Sequence, residues 1–135
     1  MFKQFNSNPQ YKNKRDGSPR NWRKPDCAVR AVSCALGISW SDAYKLLAEK
    51  GLKMFTVMND TDVIYKVLED HGFTRQSFGR GMKPTVKQFA RSNKSKVCVV
   101  HVCGHVLVTK NGDFYDTNDY AENNKVCSWV EKSIH

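Results

Sequence analysis

Apolar residues recur at helical spacing over roughly the first two thirds of the chain and alternate over the last third, so the period changes near residue 95. Val29, Val32, Ala35 and Leu36 form one stripe, which predicts a short helix from Asp26 or Cys27 to Leu36, stopped by Gly37. Being apolar on most sides, that helix suits a central position with other elements around it. A second helix is expected from Trp40 to Lys50, with Ser39 and Asp42 as a capping box, Ala43, Leu46 and Leu47 inward, and Gly51 as its stop. Residues 52–58 suit either a short strand or an apolar loop. Asp60 or Thr61 caps a third helix carrying Val63, Ile64, Val67 and Leu68, closed by Gly72, and residues 73–78 alternate as an edge strand would. After a Gly- and Pro-containing loop, Thr85 and Gln88 form a second capping box that opens a fourth helix through about Ser92. Residues 96–103 then read as a buried β-branched strand, Gly104 as a bend or bulge, 105–110 and 113–116 as the arms of a hairpin around Asn111-Gly112, and 126–132 as a last strand. Helices first and antiparallel sheet second is an α+β domain.

Composition narrows the class. The chain has 135 residues, 40% hydrophobic and 11% aromatic, enough for one domain with a real core. No apolar run suits a bilayer span and no secretion signal is visible, so a soluble, cytoplasmic protein without membrane partners is expected. The five cysteines (Cys27, Cys34, Cys98, Cys103 and Cys127) are odd in number and include no CxxC pair, which argues against a disulfide framework. The net charge of +9 is concentrated at the front: seven basic residues precede Asp26 against the single acid Asp16. Residues 1–20 lack periodicity and are expected to be either a solvated tail or an arm that touches an acidic partner such as nucleic acid. The domain proper is expected to span 21–135.

Three residues stand out chemically. Cys27 heads the first helix, where the helix dipole favours thiolate. His105 opens one hairpin strand and Asp116 lies near the end of the other. With Asn111-Gly112 as the turn, Lys110 opposes Asp113, Tyr115 opposes Val108 and Asp116 opposes Leu107, which puts Asp116 on the same face as His105 and diagonal to it. A thiol, an imidazole to hold it as thiolate and a carboxylate to orient the imidazole are the parts of a thiol hydrolase.

Asp26-Cys27-Ala28-Val29-Arg30-Ala31 on a helix, followed by Gly104-His105 and then Gly112 and Tyr115-Asp116-Thr117, resembles the papain-like cysteine peptidase superfamily, and within it the small single-domain members of bacteriophages and bacteria. The likeness runs from about Asn21 to Asn118. It implies a papain-like fold in which the cysteine heads a central helix packed on an antiparallel sheet. It also implies Cys27 as nucleophile, His105 as base and acid, Asp116 as orienter, and a protein or peptide substrate, with no metal or organic cofactor. The superfamily places an oxyanion-stabilising amide shortly before the cysteine; Asn21 is the candidate, against the reading of an ordinary turn residue. Trp22, His101, Cys103 and Gly104 are candidate cleft-lining positions. The chain departs from papain, which carries Cys-Gly-Ser-Cys-Trp where this one has Cys27-Ala28-Val29-Arg30, and it has Asn118 where many relatives have tryptophan.

Other readings compete. Cys27 alone would be a small core residue, and the scaffold without turnover would be a binding module. An acyl transferase would share the thiol intermediate. His101, Cys103 and His105 fall at every second position and, on one continuous strand, would share a face with Cα atoms about 6.6 Å apart, a rival zinc set with Cys27. Arg30 is expected to form a structural ion pair, and Asp26 to cap the helix.

Overall fold

A computed structural model of the chain describes residues 1–9 and 25–134. Among these, four helices pack on a mixed six-stranded sheet, an α+β architecture. The elements are β1 (Phe2–Gln4), α1 (Cys27–Leu36), α2 (Trp40–Met54), α3 (Thr61–Glu69), β2 (Thr74–Ser77), α4 (Val86–Ser92), β3 (Lys96–Val102), β4 (His105–Lys110), β5 (Asp113–Asp116) and β6 (Ser128–Ser133). The sheet order is β1-β5-β4-β3-β6-β2, so β4 and β3 lie at the centre.

The alternating strands divide the apolar side chains between two layers. Val99, Val106, Val108 and Val130 meet Val32 of α1, Leu47 of α2 and Ile64, Val67 and Leu68 of α3 on one face. Val100, Val102, Leu107 and Phe114 meet Val86 and Phe89 of α4, together with Ala121 and Val126, on the other. Phe78, Phe89 and Trp129 close that second layer, with Trp129 4.6 Å from Phe78 and 5.1 Å from Phe89 between ring centroids. The α1 helix touches β4, β3, α2 and α3, the central position its apolar composition implies.

Four expectations change. The sheet is mixed, because the first residues are part of it: β1 pairs in parallel with β5, Phe2 opposite Phe114 and Gln4 opposite Asp116. The start of the expected basic arm is thus an edge strand, held by the Phe2 ring against Phe114 at 5.5 Å. Residues 10–24, which hold most of the arm and the candidate site residues Asn21 and Trp22, lie outside the described residues, and with them most of the expected nucleic-acid contact.

Helix α2 does not stop at Gly51 but continues to Met54, and Phe55 ends it at φ 57. Gly51 is buried, and a Cβ there would meet Thr56 O at 3.0 Å and Met58 Cα at 3.1 Å. It is a close-approach glycine, which lets the chain fold back over the helix. Residues 52–58 are accordingly neither strand nor wholly loop, and Phe55 is 94% exposed.

The 96–105 region does not run as one bent strand. Val102 pairs with His105, and Cys103-Gly104, with Gly104 at φ 70, is a tight turn between β3 and β4. His101 and His105 therefore sit on different strands, which removes the premise of the rival zinc set. No group of His, Cys, Asp and Glu among the described residues is arranged to hold a metal ion.

Asp26 occupies the cap position of α1 but its side chain accepts no capping hydrogen bond from a first-turn N–H. Its carboxylate is taken by Arg30 Nη1, Trp40 Nε1 at 3.0 Å and Asn8 Nδ2 at 2.9 Å. Arg30 thus forms the expected ion pair, and it is buried. No helix among the described residues is long and apolar enough to cross a membrane.

Candidate active site

The β4–β5 hairpin supplies two of the three candidate residues. Asn111 at φ 57 and Gly112 at φ 86 make the turn, and Lys110 pairs with Asp113, Thr109 with Phe114 and Val108 with Tyr115. That register carries Asp116 to the level of Leu107, diagonal to His105. Asp116 Oδ2 accepts a hydrogen bond from His105 Nε2 at 2.7 Å. Asp116 is itself fixed: its Oδ1 accepts from the Thr117 N–H at 2.7 Å and its carbonyl from the Phe5 N–H at 2.8 Å.

Cys27 comes from the helical layer. By strand alternation His105 and Asp116 share a face with Leu107 and Phe114, whose side chains enter the opposite layer. The three still meet, because His105 is the first residue of β4 and Asp116 the last of β5, at the sheet end where α1 begins. The Cys27 sulfur is hydrogen-bonded to His105 and to the backbone of Val106. Since Asp116 occupies Nε2, Nδ1 is the ring atom left to face the thiol.

The electrostatics follow from this packing. Burial pushes the Cys27 thiol up, but its bonds to His105 and the Val106 backbone, with the positive charges of His105 and Arg30, outweigh it and hold the thiol below its ordinary value of 9.0. His105 is raised to about 9 by its bonds to Asp116 and Cys27, against burial. The first turn of α1 holds no acidic residue to oppose a thiolate. Cys34 and Cys98 show the contrast: burial without such partners pushes them up to about 12 and about 11. These features favour a thiolate–imidazolium pair at neutral pH.

A cleft of about 170 Å³ opens on Cys27 and His105. His101 and Gly104 line it, whereas Cys103 is exposed on the β3–β4 turn and does not. Burial holds the His101 imidazole below its usual value, toward its neutral form. The opposite wall is Asn59, Thr61 and Ile64 from the start of α3. Sequence reading missed that wall; its only local signal, the cap at Asp60, marks a helix start and not a site. It also missed Phe5, which lines a small recess with Cys27, Tyr115 and Asp116.

Comparisons with protein-family models, with curated proteins and with solved structures give no match to this chain.

Proposed function

We propose that the protein is a papain-like thiol hydrolase that cleaves an amide, peptide or isopeptide bond. The observation that carries this reading is the unbroken line Cys27–His105–Asp116, in which the thiol is held below its ordinary value and faces an open cleft. In the proposed reaction the Cys27 thiolate attacks the substrate carbonyl carbon, and the C=O electron pair moves to oxygen. First-turn N–H groups of α1 have no intrahelical acceptor and are suited to that oxyanion. Asn21 is proposed as a further donor to it. The intermediate collapses as the C–N bond breaks and His105 gives its proton to the leaving amine. The resulting thioester is attacked by water, from which His105 takes a proton, and the C–S bond breaks to release the acid and restore Cys27. An amine in place of water would make the same site an acyl transferase.

The test is to trap the intermediate. Incubation with a bacterial lysate, acid quenching and mass spectrometry should reveal adducts on Cys27 that hydroxylamine removes and that are absent from Cys27→Ala. Iodoacetamide at pH 6, applied to a Cys103→Ser background to remove the exposed thiol, should modify Cys27 far faster than Cys34. If Cys27 reacts no faster than Cys34, the hydrolase reading fails and a binding module on the same scaffold takes its place.

A further inference from the structure

Strand register extends the cleft into a groove. His101 pairs with Val106 on one side and with Ser128 on the other, and Ser128 pairs with Ser77. Val106, His101, Ser128 and Ser77 therefore form one row across β4, β3, β6 and β2. Three strand spacings make that row about 14 Å long, the span of about four extended residues. The near end is the cleft at Cys27. The far end is a second cavity of about 490 Å³, lined by Thr61, Asp62, Tyr65, Arg75, Ser77 and Ser128 among others. Thr61 lines both cavities, and the first two turns of α3 wall the whole row. Tyr65 spans wall and floor, its hydroxyl 2.8 Å from Ser128 Oγ.

The charged residues of the far cavity's lining are Asp62 and Arg75. Arg75 is held by Asp62 and Glu69, each at 3.1 Å, and its guanidinium lies 5.1 Å from the Tyr65 ring centroid. One cation thus stands against two carboxylates. Its charge is spent, while Asp62, whose side chain is 69% exposed, lines the cavity with an oxygen to spare. With Glu69 outside the lining, these three groups sum to one excess negative charge beside the proposed reaction centre, and Asp62 is the carboxylate that faces the cavity. The rest of the lining is neutral hydroxyl and amide, suited to a peptide backbone.

We propose that this groove binds an extended peptide segment of the substrate and that its far cavity takes a lysine or arginine side chain about three residues from the scissile bond, with Asp62 as the specificity residue. The proposal rests on the hydrolase reading for the position of that bond, but its binding test does not depend on turnover. The probes are acetylated, amidated tetrapeptides in which a Lys, Leu or Glu guest is separated from the other terminus by three glycines, made in both chain directions. They are titrated into Cys27→Ala and followed by two-dimensional NMR. The Lys peptide of one direction should shift the amides of Thr61, Asp62, Ser77 and Ser128 and bind about fivefold tighter than its Glu counterpart, the upper range for a solvent-accessible charge pair. Asp62→Asn should abolish that preference, and Ser77→Lys should reverse it. A Glu preference, no binding by any probe, or a Lys preference that survives Asp62→Asn overturns the proposal. A Lys peptide that binds there but is never cleaved by the wild-type protein leaves the groove standing and counts against the hydrolase.

Discussion

His105 Nε2 and Asp116 Oδ2 lie 2.7 Å apart although they sit on different strands and not directly opposite one another. The diagonal contact depends on the two-residue Asn111-Gly112 turn; one residue more or less would turn Asp116 to the other face. It also makes Asp116 the largest cause of the raised His105 value, ahead of Cys27.

Replacing Asp116 should therefore act through His105. In Asp116→Asn the amide oxygen can still accept from Nε2 but the charge is gone. His105 should titrate below about 9, so the imidazolium partner of the Cys27 thiolate is lost at a lower pH and the pH profile of Cys27 alkylation should change with it. Turnover should drop on the order of 10²-fold, a typical general acid–base contribution, and further in Asp116→Ala, where the ring loses its orienter. Histidine NMR titration checks the first outcome and iodoacetamide kinetics the second. An unchanged His105 titration in Asp116→Asn would contradict the assignment.

The hairpin and its partner helix were legible in the sequence because their signals are local. Alternation flanking Asn-Gly fixes register, and the run from Val29 to Leu36 ended by Gly37 fixes the Cys27 helix. Strand β1 was not legible, since three residues show no period and its partner lies more than a hundred residues away. The Asp26 carboxylate was misread for a related reason: a residue before a helix looks like a cap whether its acceptor serves the helix or, as here, Arg30, Trp40 and Asn8. The groove wall at Asn59 and Thr61 was invisible because only tertiary packing brings α3 opposite β4.

Removing Arg30 should expose the cost of its buried partner. Both side chains of the Asp26–Arg30 pair are less than a tenth exposed. Arg30→Met leaves the Asp26 charge in the interior with Trp40 and Asn8 as its remaining donors among the described residues, a loss of about 3–5 kcal/mol. Asp26→Leu combined with Arg30→Met removes both charges and should recover much of it. Urea unfolding midpoints measure this, and a double variant no more stable than Arg30→Met would argue that packing, not charge, dominates.

The N-terminal strand should matter to the site as well as to stability. Phe2→Ala removes the ring that seats β1 on Phe114, at a cost of about 2 kcal/mol for a partly buried aromatic. Because the Phe5 N–H bonds the Asp116 carbonyl, loosening β1 should also raise hydrogen exchange at the Phe5 amide. Unchanged exchange at Phe5 would mean that Phe2 does not hold the strand.

Gly51 offers a contest between two known effects. Alanine is the better helix former by about 1 kcal/mol. Against this, its Cβ would press on backbone atoms of Thr56 and Met58, which cannot swing aside as a side-chain tip would, and such overpacking costs about 1–3 kcal/mol. Gly51→Ala should therefore be destabilising by about 1 kcal/mol, a fall in Tm of about 4 °C for a domain of this size. A rise in Tm would show that residues 55–58 relax away from the helix.

The final prediction concerns pH and stability, where His105 and Cys27 pull in opposite directions. An unfolded imidazole loses its proton near pH 6.5, whereas folded His105 keeps it to about 9. Between those values the folded state binds more protons, so the His105 contribution is complete below pH 6.5 and is lost as pH rises through about 9. Cys27 is lowered in the fold, so its contribution is present above the unfolded thiol value and is lost as pH falls through its folded value. Where folded Cys27 is thiolate and folded His105 is imidazolium, the proton given up by one offsets the proton held by the other, and wild-type stability should change little in the interval between the folded Cys27 value and about 9. Cys27→Ala removes only the thiol half. Asp116 still raises His105, so this variant should lose stability steadily over the same interval, and adding Asp116→Asn should flatten the slope again. Urea unfolding at several pH values distinguishes the three proteins, and parallel slopes for wild type and Cys27→Ala would rule out the ion pair.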